Sequence, residues 1–185
     1  RRFFDIDGLA AVRVERPEVF EATHRLVLDL LARRLVHGLR IDHVDGLADP
    51  AGYLRRRDRR AREAAGGPVP IWVEKILVGA EALPAGWPVA GTTGYEFAAT
   101  ATRILLAGDG LDVLDRMRRS RDPDVGEFAA VEAEARRLSL ERLFPGELAA
   151  LTRELAALLG RPQVAVREAL EALIVAFPVY RTYLG

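Results

Sequence analysis

The chain has 185 residues, of which 50% are hydrophobic and 29% charged, and its 27 basic residues balance 27 acidic ones. This composition is typical of a globular protein, and the zero net charge gives no electrostatic reason to expect a nucleic-acid or membrane partner. The absence of cysteine excludes disulfides and thiolate-bound metals and fits a cytoplasmic protein. No apolar run is long enough to span a membrane, and no secretory leader is recognisable.

The first long element predicted is an amphipathic helix, preceded by a turn-rich stretch over residues 3–14. Its start is marked by Arg16-Pro17-Glu18, because proline fits the first helical turn and an acid there complements the helix dipole. Apolar residues then recur at helical spacing as far as about Val36.

A short β-strand is predicted over residues 38–42, where apolar and charged residues alternate. Leu39 and Ile41 share one face of this strand, and Arg40 and Asp42 share the other. In a parallel sheet covered by helices, the apolar face would meet the helices, and the strand would end in the carboxylate of Asp42.

A second helix begins at Asp49-Pro50, with aspartate as the N-cap and proline at the first helical position. It carries six arginines, which Asp58 and Glu63 interrupt and no aromatic residues interleave. We therefore favour a solvated outer helix face over a nucleic-acid surface. The six arginines are Arg55, Arg56, Arg57, Arg59, Arg60 and Arg62.

A second strand is predicted over residues 70–74, with its apolar residues on one face and Trp72 and Glu74 on the other. A helix-length segment separates the two strands, so we expect a βαβ unit in which they are parallel neighbours. Asp42 and Glu74 would then lie together at the carboxyl edge of the sheet, where α/β folds place their active sites.

After Leu77 the chain enters a long loop, and long loops inside compact domains are usually functional. Trp87 in this loop could either stack on a sugar or anchor the loop. From Tyr95 to about Phe177 the pattern is helical, and two apolar stripes there predict helix-on-helix packing. Residues 178–183 are predicted to be extended and strand-like. The stripes consist of Leu148, Leu151, Leu155, Leu158 and Leu159, and of Val166, Leu170, Leu173, Ile174 and Phe177.

The two carboxylates could divide the work of a glycosidase between them. Arg40 beside Asp42 favours the ionised form of that carboxylate, whereas Trp72 and the apolar strand favour the protonated form of Glu74. A retaining glycosidase uses such a pair, about 5–5.5 Å apart, as nucleophile and general acid. The alternative is that both acids only form strand-end salt bridges, and the pattern alone does not decide between the two.

A metal centre is a less favoured alternative. Asp42, His43, Asp45 and Asp49 lie close in sequence, but successive strand residues point to opposite faces and would not converge on one ion. The sequence also has no second histidine at the spacing of a helical zinc pair. We therefore expect neither a metal ion nor another cofactor.

Several longer motifs resemble a known family. Gly38-Leu39-Arg40-Ile41-Asp42 and Trp72-Val73-Glu74 resemble two signature regions of the α-amylase superfamily of glycoside hydrolases and transferases. More narrowly, the chain resembles the maltooligosyl trehalose synthases from its first residue almost to its last. The motifs that carry this narrower resemblance are Arg1-Arg2-Phe3-Phe4-Asp5-Ile6, Leu39-Arg40-Ile41-Asp42-His43-Val44-Asp45-Gly46-Leu47, Val73-Glu74-Lys75-Ile76-Leu77, Gly91-Thr92-Thr93-Gly94-Tyr95-Glu96-Phe97 and Phe177-Pro178-Val179-Tyr180-Arg181-Thr182-Tyr183.

The resemblance implies an α/β protein that forms part of a (β/α)8 TIM barrel, with a large all-helical insertion and more helix than strand. Residues 1–94 would belong to the barrel, 95–177 to the insertion, and 178–185 would return toward the next barrel strand. The remainder of the same polypeptide would supply the other strands and a third catalytic carboxylate. The chain is therefore expected to be a piece of the enzyme and inactive alone.

The activity implied is isomerisation of the reducing-end α-1,4 bond of a maltooligosaccharide to the α,α-1,1 bond of trehalose. Asp42 would be the nucleophile, Glu74 the general acid/base, and Arg40 the residue that orients Asp42. Many amylases have Lys-His where this chain has Asp45-Gly46, which argues against a plain α-amylase. One alternative is another hydrolase or transferase of the superfamily. A second is a helical interaction module without activity.

Six further residues that flank the two acids are predicted to hold the cleaved glucose and exclude water, and Trp87 is a seventh predicted substrate-binding residue. Besides Trp87, three of them have a structural role as the alternative. Thr92 and Thr93 could cap the following helix, and Lys75, the only lysine of the chain, could be a salt-bridge partner. The seven residues are His43, Asp45, Lys75, Trp87, Thr92, Thr93 and Tyr95.

Overall fold

The computed structural model describes residues 12–124 and 126–183, and the sequence predictions for residues 3–11 lie outside that part. The chain divides into two compact units, Arg1–Thr102 and Arg103–Gly185. Seven α-helices and three short strands occur among the described residues, which confirms the predicted excess of helix over strand.

The helices and strands have the following bounds. Strands β1 to β3 are Leu39–Ile41, Ile71–Val73 and Gly91–Thr92, and a 3-10 turn, Val44–Gly46, follows β1. Helices α1 to α7 are Pro17–Ala32, Pro50–Ala65, Tyr95–Ile104, Gly108–Arg121, Phe128–Leu143, Pro145–Leu159 and Gln163–Ala176.

The strands form a parallel sheet in the order β1-β2-β3. Leu39 pairs with Ile71 and Ile41 with Val73, so the predicted parallel βαβ unit is confirmed. Strand β3 was not predicted, because Gly91–Thr92 has only two residues and begins with a glycine, which leaves no alternating pattern to recognise. The loop predicted after Leu77 therefore contains the third strand.

One face of the sheet packs against α1 and α2. Leu39 and Ile71 are buried there with Leu31 of α1 and Ala61 of α2. Trp72, on the opposite face, is 40% exposed. This is the predicted arrangement, in which the apolar face of each strand meets the helices because a parallel sheet is covered by its crossover helices.

The boundaries of α1 and α2 follow from specific residues. Both helices have proline in the first turn, and the Asp49 side chain caps α2 by accepting a 2.7 Å hydrogen bond from the Gly52 amide. Helix α1 ends at Ala32 and not near Val36 as predicted. Arg34 adopts a left-handed backbone with φ of 57°, which is incompatible with continuing the helix.

The arginine-rich face of α2 is mostly the predicted solvated surface, but Arg57 is an exception. Arg60 pairs with Glu21 at 2.6 Å and Arg62 with Asp58 at 2.8 Å. Arg57 is only 2% exposed, and its Nε and Nη1 atoms have no hydrogen-bond partner among the described residues. Burial accordingly lowers the pKa of Arg57. Arg57 was not distinguishable in sequence because it is one of six arginines in the same helix.

The second unit contains a cluster of helices in which α5, α6 and α7 contact one another. Helix α6 buries Leu148, Thr152 and Ala156, one residue per turn, and α7 buries Val166. The predicted leucine stripe is therefore only partly correct, since Leu158 is 80% exposed. Besides Leu148, the buried face of α6 consists of Thr152 and Ala156, each of which directly follows a leucine of the predicted stripe. Leu151, Leu159 and Leu173 are also exposed.

The segment from Pro178 to Tyr183 is not a strand, which corrects the prediction for it. A strand requires a ladder partner, and none of the described strands pairs with this segment, despite its aromatic and β-branched content. None of the helices in the described ranges combines the length and apolarity needed to cross a bilayer.

The Asp49 cap is expected to contribute measurably to stability. Replacing Asp49 with Ala should lower the free energy of unfolding by about 1 kcal/mol, because the Gly52 amide loses its acceptor. Urea denaturation would measure the change. Asp29→Ala is the control, since it removes an exposed acid of α1 whose side chain caps nothing and makes only a 3.4 Å ion pair with Arg33. An equal loss in both variants would contradict the role of the cap.

Candidate active site

The carboxyl edge of the sheet brings Asp42 and Glu74 to neighbouring positions. Each residue directly follows a paired strand residue, Ile41 in β1 and Val73 in β2. The Glu74 amide extends the ladder by donating a 2.8 Å hydrogen bond to the Ile41 carbonyl. Since neighbouring strands lie about 4.8 Å apart, both carboxylates start from adjacent points of one edge.

Asp42 forms an ion pair with Arg40 on the same face of β1. Arg40 Nη2 lies 2.7 Å from Asp42 Oδ1, which confirms the predicted pairing. The two side chains are 57% and 68% exposed, so this face is open to solvent in the described part of the chain.

Glu74 is held by two residues that were predicted to belong to the site. Its Oε2 accepts a 2.9 Å hydrogen bond from the backbone amide of His43, the residue that follows Asp42. The Tyr95 hydroxyl lies 3.4 Å from the other oxygen, Oε1. The amide of one strand end is thus hydrogen-bonded to the carboxylate of the next, which fixes the position of Glu74 relative to Asp42.

The His43 amide can point at Glu74 because the backbone turns sharply at this residue. His43 has φ of 46°, in the left-handed region that a non-glycine residue rarely adopts. Its imidazole lies over Gly46, where a Cβ atom would come within 2.6 Å of the ring. Glycine is therefore required at position 46 for the ring to occupy this place.

Lys75 and Asp45 face each other in a buried ionic network. Lys75 Nζ lies 2.8 Å from Glu81 Oε1 and 3.5 Å from Asp45 Oδ2. The Lys75 side chain has no exposed surface, and the side chains of Asp45 and Glu81 are 8% and 12% exposed. This arrangement favours the salt-bridge alternative for Lys75 over direct contact with a sugar.

Glu81 is the member of this network that sequence analysis missed. Burial acts to raise its pKa, but the hydrogen bond from Lys75, the Val78 amide and the charge of Lys75 outweigh burial and lower the pKa overall. An isolated acid in an otherwise apolar, proline-rich loop near the only lysine was the available signal. It was weak because spacing along a loop does not predict which residues meet.

The remaining predicted residues lie in or next to the segment that carries β3. Trp87 is buried, 7% exposed, as expected of a loop anchor. The Thr92 hydroxyl accepts a 3.1 Å hydrogen bond from the Gly94 amide and donates to Glu96 in the first turn of α3. The Thr93 amide donates to the Val73 carbonyl at 3.0 Å, and its buried hydroxyl has no partner among the described residues.

The acidic residues considered for a metal site do not form one in the part of the chain that the structure covers. No group of three His, Asp or Glu side chains is placed there to hold an ion. Asp49 instead caps α2, and Asp45 faces Lys75.

Comparison with known proteins gives a consistent assignment. No family model matches the sequence. A protein of Mycobacterium tuberculosis, provisionally named maltooligosyl trehalose synthase, is 37% identical over 174 residues, which are 94% of this chain and 22% of the relative. The solved structure of maltooligosyltrehalose synthase from Arthrobacter ramosus is 41% identical, with a TM-score of 0.82, and that of another maltooligosyl trehalose synthase is 31% identical, with a TM-score of 0.75.

The share of each protein that is covered differs greatly. Both solved structures cover 100% of this chain, but the chain covers only 23% of each of them. It therefore spans less than a quarter of the length of the relatives that it matches. The resemblance to the maltooligosyl trehalose synthases that the motifs predicted is confirmed along this length.

The lowered pKa of Glu81 predicts a pH-dependent contribution to stability. Because the folded-state pKa lies below the ordinary value of about 4.3, the stabilisation is present above that value and is lost as the pH falls through the folded pKa. At pH 7, Glu81→Gln should reduce the free energy of unfolding by about 2 kcal/mol, the scale of a hydrogen bond to a charged group.

The measurement is urea denaturation of both proteins between pH 7 and pH 3. The difference between wild type and Glu81→Gln should shrink toward the acid end, because protonated Glu81 no longer pairs with Lys75. Glu21→Gln, which removes an exposed partner of Arg60, is the control and should show a smaller effect at pH 7. A constant difference across this range would exclude ionised Glu81 as the stabilising group.

Proposed function

We propose that this chain carries the nucleophile and the general acid/base of a maltooligosyl trehalose synthase. The observation that supports this most directly is the geometry of the carboxyl edge. Asp42, paired with Arg40, and Glu74, bound by the His43 amide, follow paired residues of two parallel strands. The chain as a whole is 31–41% identical to solved enzymes of that name.

In the proposed reaction, Asp42 attacks the anomeric carbon on the non-reducing side of the reducing-end α-1,4 bond. Glu74 protonates the leaving oxygen, so that the bond to the terminal glucose breaks and a glycosyl-Asp42 ester forms. The released glucose stays in the site and turns. Its anomeric hydroxyl then attacks the anomeric carbon of the glycosyl group bound to Asp42, Glu74 accepts the proton, and Asp42 leaves as carboxylate with the new α,α-1,1 bond formed.

Retention of the glucose distinguishes this isomerisation from hydrolysis. Water competes with the retained sugar for the same ester, so the site must exclude it until the sugar has turned. Tyr95, whose hydroxyl lies 3.4 Å from Glu74, belongs to this proposed enclosure together with His43 and Thr93. The substrate would be a maltooligosaccharide, and the reaction would take place in the cytoplasm.

The sheet supports a barrel completed by further polypeptide. Among the described strands, β1 and β3 each pair on one side only, which leaves two edges that a closed (β/α)8 barrel would satisfy. We propose that residues 1–94 belong to this barrel, 95–177 to a helical insertion, and 178–185 to the return from it. A third carboxylate, which would stabilise the transition state, would come from the remaining strands.

The roles of the two acids can be separated in the complete polypeptide that contains this chain. Asp42→Asn and Glu74→Gln should each reduce turnover of maltopentaose by about 10³-fold or more, because each removes a group that acts in bond cleavage. With an α-maltosyl fluoride, which needs no protonation of the leaving group, Glu74→Gln should still accumulate a glycosyl adduct on Asp42.

Mass spectrometry of digested protein would locate that adduct. Asp29→Asn, at an exposed ion pair of α1, is the control and should behave like wild type. An adduct on another residue would reassign the nucleophile. Full activity of either acid variant on maltopentaose would overturn the proposed function.

The isolated 185-residue chain should be inactive, since the proposed third carboxylate and the strands that would close the barrel come from the remaining polypeptide. Incubation with maltopentaose and analysis of the non-reducing products would test this. Trehalose-terminated product formed by the purified chain would show that these two acids suffice.

A further inference from the structure

We propose that Lys75 is a positioning residue for Glu74, which it controls through Asp45 and the 3-10 turn Val44–Gly46 without touching the sugar. This inference rests on the proposed function for its catalytic consequence. Its structural part rests on the contacts of the buried network alone.

Lys75 is poorly placed to contact a substrate. Its side chain is fully buried, whereas that of its neighbour Glu74 is partly exposed, because successive residues of an extended segment point to opposite sides. Its ammonium group is engaged by the carboxylates of Glu81 and Asp45. A sugar hydroxyl could reach it only if this network opened.

Asp45 and Glu81, the two partners of Lys75, lie in turns that follow β1 and β2, the strands that end in Asp42 and Glu74. Asp45 lies in the 3-10 turn directly after β1 and Asp42. Glu81 closes a turn after β2, in which its amide donates to the Val78 carbonyl at 3.0 Å and its Oε2 accepts from the Val78 amide at 3.1 Å. Lys75 therefore joins the segment after the nucleophile to the segment after the acid.

The 3-10 turn transmits this restraint to Glu74. Its hydrogen bonds run from the Gly46 amide to the His43 carbonyl and from the Leu47 amide to the Val44 carbonyl, each at 3.1 Å. Val44, the first residue of the turn, is completely buried, which fixes the start of the turn. His43 is the N-cap residue directly before it, and its amide donates to Glu74 Oε2. A displacement of Asp45 would thus move the donor that holds Glu74.

The consequence for catalysis lies in which oxygen of Glu74 transfers the proton. The His43 amide binds Oε2 at 2.9 Å, whereas the Tyr95 hydroxyl lies 3.4 Å from Oε1, so Oε1 is the more weakly held oxygen and is assigned to proton transfer. General acid catalysis depends on this placement, and a misplacement of about 1 Å can reduce a rate by about 10²-fold. Lys75 is expected to affect protonation of the leaving group more than attack by Asp42.

The test uses the complete polypeptide with Lys75→Met, which keeps the length of the side chain and removes its charge, and with Asp45→Asn, a nearly isosteric variant that disturbs folding less. The first readout is amide hydrogen exchange in peptides covering residues 42–47. Exchange at His43 should become at least about tenfold faster in both variants, because the turn loses its anchor.

The second readout is the dependence of rate on the leaving group. Turnover of maltopentaose should fall by about 10²-fold with KM nearly unchanged, whereas adduct formation from α-maltosyl fluoride should stay within about threefold of wild type. A purely structural defect would slow both substrates alike. Glu21→Gln, which breaks an exposed 2.6 Å ion pair between α1 and α2, is the control expected to change neither readout.

Unchanged exchange at His43 in both variants, or an equal loss with both substrates, would overturn the positioning role. Wild-type protein that transforms neither substrate would overturn the proposed function and, with it, the catalytic consequence of Lys75. The exchange measurement would still decide whether Lys75 anchors the turn, so the two failures are distinguishable.

Discussion

The parallel register of β1 and β2 is the constraint on which the site depends. Pairing of Ile41 with Val73 places the next residue of each strand, Asp42 and Glu74, at one edge. A shift of one residue in either strand would turn its carboxylate into the helix-covered face and its apolar residues out of it. Burial of Leu39 and Ile71 against α1 and α2 opposes such a shift, so the hydrophobic core and the position of the two acids have the same origin.

The sequence allowed the strands, the βαβ unit and the acid pair to be predicted because each rests on a local pattern. Alternation identified both strands, and a helix between them required parallel neighbours. Asp49 and Pro50 marked a helix start that the structure confirms. These signals extend over a few consecutive residues, where elementary stereochemistry applies directly.

Features that depend on contacts between distant residues could not be predicted in this way. The network of Lys75 with Glu81 and Asp45 forms because two loops meet, and no spacing rule predicts which loop residues do so. Strand β3 exists because β2 offers an unpaired edge to Gly91–Thr92, which has no strand pattern of its own. The burial of Arg57 depends likewise on how α2 packs, which its arginine-rich sequence does not reveal.

Two buried cations of this chain illustrate why lysine suits position 75. An ammonium group presents three donors in diverging directions and can serve carboxylates that approach from different loops, as Glu81 and Asp45 do. A guanidinium holds five donors in one plane and needs acceptors arranged in that plane. At Arg57, where the described residues provide no acceptor for Nε and Nη1, that requirement is not met. Lys75 is the single lysine of a chain that otherwise uses arginine, and it lies where the turns that carry Asp45 and Glu81 meet. The chemistry of the ammonium group matches a role in joining those turns, and through them the two strand ends that carry Asp42 and Glu74.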